Sequence, residues 1–96
     1  MLTSDNFREL EGAAQRHLIE FLLVELELAE TMCDILRTTT ERDQRNALIR
    51  KLRLTLLTIR NAEVRLADPL KWKEIHERAN RLEVLIDAID SGARCL

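Results

Sequence analysis

Apolar residues return at alternating steps of three and four along almost the whole chain, a spacing that lines one face of an α-helix. Trp72, Ile75, Ala79, Leu82, Ile86 and Ile89 follow it without a break, and the same rhythm runs twice more upstream. It is interrupted by the polar stretch Thr38-Thr39-Thr40 and by Pro69. With only two glycines and one proline, little turn chemistry is present from which to build a sheet. The expected fold is all-α: an antiparallel up-down-up bundle of three long, coiled-coil-like helices, forming a single domain over residues 1–96.

Local punctuation sets the helix ends. Thr3, Ser4 and Asp5 offer N-cap oxygens to a first helix over about residues 5–37, with Gly12 placed to kink or fray it. Thr40 and Asp43 approximate a capping box for a second helix over about 41–67. Asp68 can cap a third, with Pro69 at its first position, where a missing N–H costs nothing; this helix should reach about residue 90 and stop at Ser91-Gly92. At 1.5 Å per residue the rods would be about 50, 40 and 33 Å long, so the first should overhang.

Two of the helices carry more apolar surface than one core-facing stripe requires. In the first, the main stripe Leu10, Ala14, His17, Phe21, Val24, Leu28, Thr31, Ile35 lies beside Leu18, Leu22, Glu25, Ala29, Met32, Leu36, with Ile19, Leu23 and Leu26 at the flanks. In the second, Leu48 or Ile49, Leu52, Thr55 or Leu56, Ile59, Ala62 and Leu66 mark the main stripe, while Leu54, Leu57, Asn61 and Val64 form a row on the opposite side. Such an excess predicts association, in its simplest form a homodimer giving a four- or six-helix bundle. Leu23, Leu26, Leu54, Leu57 and Val64 are the expected anchors at the protein interface, with Arg50, Arg53 and Arg60 orienting the partner.

Charge is segregated: residues 1–36 sum to −6, residues 37–67 to +5 and residues 68–96 to −1, within an overall −2. The simplest expectation is an acidic helix laid along a basic one, with Glu20, Glu27, Glu30 and Asp34 facing Arg45, Arg50, Lys51 and Arg53. A competing reading makes Arg42, Arg50, Arg53 and Arg60 a phosphate-tracking stripe, but the chain is acidic overall and no aromatic is interleaved for base stacking. Nucleic-acid binding is the lesser alternative.

Polar residues within the stripes are the only candidate chemistry. His17, Glu25 and Glu63 fall among core positions, where each carboxylate needs a partner. Folding the chain back at its two turns brings His17 level with Glu63, and His76 to nearly the same height. The expected result is a buried polar layer of His17, Glu25 and Glu63, with His76 at its edge, that fixes register. A metal site of His17, Glu63 and His76 is the weaker alternative, because the paired Glu-x-x-His motif of di-iron bundles is missing.

The motifs of catalysis are not found. There is no glycine-rich phosphate loop, nucleophile elbow, paired-cysteine zinc spacing or calcium loop, and neither histidine has the flanking residues of a phosphotransfer helix. Cys33 lies within a helix and Cys95 in a tail, which argues against a disulfide framework. The longest uninterrupted apolar run, Phe21 to Val24, is too short to span a bilayer, and the N-terminus lacks a leader pattern. These features predict a cytoplasmic, non-enzymatic interaction module that needs no cofactor or membrane and binds itself or another helical protein.

Overall fold

A computed structural model describes the backbone of residues 4–94 and the side-chain environments of residues 9–92. Thr3, Cys95 and the side chains of Ser4 and Asp5 lie outside the described residues. Three helices pack against one another: α1 (Ser4–Thr38), α2 (Arg42–Glu63) and α3 (Pro69–Arg94). They form an elongated body of 62 × 21 × 16 Å, and no strand occurs among the described residues. No helix there is long and apolar enough to cross a membrane.

The core comes from one stripe of each helix. Leu22, Leu26, Ala29, Cys33 and Leu36 of α1 meet Ile49, Leu52, Leu56 and Ile59 of α2 and Ile75, Ala79, Leu82 and Ile86 of α3, all buried. Burial shields Cys33 from water and pushes its thiol pKa up from the ordinary 9.0, an effect that nearby Arg37 opposes.

For α1 the expected main stripe and the buried stripe differ. The helix turns Leu22, Leu26, Ala29, Cys33 and Leu36 inward, and the row from Leu10 to Ile35 stays outside. Both rows have helical spacing. The selected one carries no charged residue at its centre, whereas the other contains His17 and Thr31, which would need partners if buried.

The ends are set by contacts of unequal legibility. Asp68 caps α3 as expected: its Oδ1 accepts from the Leu70 N–H at 2.9 Å, and Pro69 opens the helix. The capping box at Thr40 does not form, because Glu41 occupies the N-cap and makes no side-chain cap bond. Arg45 secures that turn instead, donating to the backbone carbonyls of Leu36 and Thr39 at 2.9 and 3.0 Å.

α2 ends at Glu63, four residues before the expected Ala67. There the Arg65 and Leu66 N–H groups bond three residues back, to Ala62 and Glu63, tightening the backbone out of the α-helix. Gln15 of α1 fastens the released strand of chain: its amide nitrogen donates to the Arg65 carbonyl at 3.0 Å and its oxygen accepts from the Ala67 N–H at 2.9 Å. Neither glycine marks a break. α1 runs through Gly12, and α3 continues past Gly92, which does not adopt positive φ.

Candidate protein interface and buried polar cluster

Among the described residues the buried polar side chain is Glu63, at the end of α2. Its Oε1 lies 3.0 Å from His76 Nδ1 and accepts from Arg60 at 3.3 Å. Arg60 also donates to Asn80 at 2.7 Å and Glu83 at 3.2 Å, so one guanidinium ties α2 to the flank of α3. Trp72 stacks on His76 with ring centroids 4.5 Å apart, and its position beside the histidine leaves it partly exposed rather than in the core stripe. Glu63 Oε2 is buried without a hydrogen-bond partner.

Of the expected polar layer, Glu63 alone is buried. His17 is exposed, on the outward row with Phe21 and Val24, and Glu25 is half-buried beside the groove between α1 and α2. His76 takes the place expected of His17, because its position on α3 turns it toward α2. Arg60 was the missing member of the cluster. Its spacing of three residues from Glu63 was the available signal.

The set His17, Glu63 and His76 does not assemble. Among the described residues no three His, Cys, Asp or Glu side chains come together in a way that could hold a metal ion. A guanidinium against the Glu63 carboxylate also supplies the positive charge that a cation would otherwise bring.

The expected charge seam is redistributed. Arg53 binds Asp87 and Asp90 of α3, Glu30 binds Arg78 of α3, and Asp34 reaches only Arg37 on its own helix. Donating hydrogen bonds to Asp87 and Asp90 raises the Arg53 pKa above the ordinary guanidinium value. With Arg53 and Arg60 engaged by α3, the proposed phosphate-tracking stripe loses two of its four arginines to internal acids. Glu20, Glu27, Arg50 and Lys51 make no ion pair among the described residues and are exposed.

Among the expected interface anchors, Leu26 is fully buried in the core and so is not presented to a partner, and Leu23 is half-buried against it. Their closeness to the inward stripe of α1 draws them in. Leu54, Leu57 and Val64 are 56–74% exposed. The α1 row that sequence spacing had placed inward supplies a second surface: Leu10, Phe21, Val24, Leu28 and Ile35 are each 43–57% exposed. A groove of about 290 Å³ runs beside it, lined by Glu25, Leu28, Met32, Lys51 and Thr55. Comparison with known proteins finds no matching family model, curated protein or solved structure.

Proposed function

We propose that this chain is a non-enzymatic helical interaction module whose work is to join copies of itself through the outer faces of its helices. One observation carries the reading. Among the described residues eleven large hydrophobic side chains are exposed, and eight of them fall on two rows, one along α1 and one along α2. Scattered exposed leucines are ordinary, whereas ordered rows that follow a helix are the form an interface takes.

The reading takes the three helices as alternating in direction, so that both rows run along the length of the body. Bonds from Gln15 to Arg65 and Ala67, and from Arg45 to Leu36, support that arrangement. The smallest assembly is a homodimer.

Light scattering on the wild type and on the Leu57→Glu/Val64→Glu variant tests the proposal. The wild type should have a mass of at least two chains, and the variant a lower mass with its helicity retained. A wild type that stays monomeric at high concentration, with a variant of unchanged mass and stability, would refute it.

A further inference from the structure

The two exposed rows share a repeat. On α1, Leu10, Ala14, His17, Phe21, Val24, Leu28, Thr31 and Ile35 are separated by steps of 4, 3, 4, 3, 4, 3 and 4; on α2, Ala47, Arg50, Leu54, Leu57, Asn61 and Val64 are separated by 3, 4, 3, 4 and 3. All fourteen are exposed. This is the seven-residue spacing of a seam between two helices, and it extends over about 38 Å of α1 and about 26 Å of α2.

Their flanks carry opposite charge. On α1 the residues just before Phe21, Leu28 and Ile35 are Glu20, Glu27 and Asp34, with Glu25 on the other side of the row. Beside the α2 row, Lys51 follows Arg50 and Arg65, in the turn just after the helix, follows the C-cap Val64, while Arg53 and Arg60 precede Leu54 and Asn61. Glu20, Glu27, Lys51 and Arg65 are exposed and form no ion pair within the described residues.

Pairing α1 with α1 of a second copy sets acids against acids. In a parallel seam Glu20 meets Glu25, and in an antiparallel one the row Glu20, Glu27, Asp34 meets itself. Pairing α2 with α2 sets cations against cations in either direction. Only α1 against α2 brings opposite charges to the edges of an apolar seam.

We infer that the occupant of the outer α1 face is a second copy of this chain, seated by the outer row of its α2. The inference rests on the self-association proposed above and specifies which faces meet. The two rows are different surfaces, so two copies either pair reciprocally, each α1 on the other's α2 about a two-fold axis, or link head to tail and grow beyond two chains as concentration rises.

Two variants, each with one face disabled, test it. Val24→Glu/Leu28→Glu disables the α1 face, and Leu54→Glu/Leu57→Glu disables the α2 face; all four residues are at least half exposed, so no core position is emptied. In sedimentation velocity the wild type should assemble, each folded variant should be monomeric alone, and an equimolar mixture should give a one-to-one dimer that grows no further.

Assembly of either variant alone, or a mixture that stays monomeric while the wild type assembles, overturns the α1-to-α2 contact and leaves self-association standing. A monomeric wild type overturns both. Should a face variant fail to fold, the charge-reversed chains Glu20→Lys/Glu27→Lys and Lys51→Glu/Arg65→Glu, with intact apolar rows, repeat the test. Each should associate more weakly alone than the wild type and recover on mixing, and a mixture no tighter than its components overturns the contact.

Discussion

Glu63 shows how a single buried charge is made tolerable. Its carboxylate is held by the Arg60 guanidinium and His76, while Nη2 of Arg60 donates to Asn80 and Glu83. Removing the guanidinium would leave the buried carboxylate with His76 as its remaining partner, and breaking such a pair from one side costs more than replacing both partners. Arg60→Ala should therefore lower stability by about 2 kcal/mol, below the range for fully enclosed pairs because Arg60 retains some solvent. Adding Glu63→Leu should restore stability to within about 1 kcal/mol of the wild type, because the buried charge is removed with its partner. Urea unfolding of the two variants measures both values; a double variant no more stable than Arg60→Ala would show that Glu63 is not the source of the loss. In the sequence Glu63 stood out as a carboxylate on an apolar stripe. Of its partners, Arg60 was within reach through its three-residue spacing and His76 through its matching height, whereas the tie from Arg60 to Glu83 depends on how α3 is rotated.

Among the helices, the joint after α2 depends on a residue fifty positions away. Gln15 accepts from Ala67 and donates to Arg65, satisfying backbone groups freed where α2 stops. Gln15→Ala should cost about 1 kcal/mol and speed amide hydrogen exchange at Ala67 while leaving the α2 interior unchanged. Unaltered exchange at Ala67 would show that the bond does not hold the joint. The start of α3 was readable because Asp68 and Pro69 act on their immediate neighbours. The end of α2 was not, because the Gln15 side chain that fastens it reaches across from α1.

For the molecule as a whole, three narrow helices enclose only one stripe each, so the second apolar rows of α1 and α2 stay in contact with water. If copies cover these rows for one another, unfolding is coupled to dissociation and the thermal midpoint depends on protein concentration. Hundredfold dilution should lower the midpoint by about 5 °C or more for a domain of this size. The Leu54→Glu/Leu57→Glu variant should show little dependence. A wild-type midpoint that stays fixed across the dilution, measured by circular dichroism, would mean that the folded chain gains nothing from its own copies.

Periodicity and capping residues were enough to specify three helices, their approximate limits and the existence of surplus apolar surface, because those properties arise between residues a few positions apart. The choice of inward face on α1 required all three helices together. Two adjacent rows both had helical spacing, and their packing buried Leu22, Leu26, Ala29, Cys33 and Leu36 while leaving Phe21, Val24, Leu28 and Ile35 outside. The same packing sent Glu30 and Arg53 to α3 instead of to each other. Rotation of a helix about its axis is fixed by the neighbours it must fit, and a modest turn exchanges which side chains meet water.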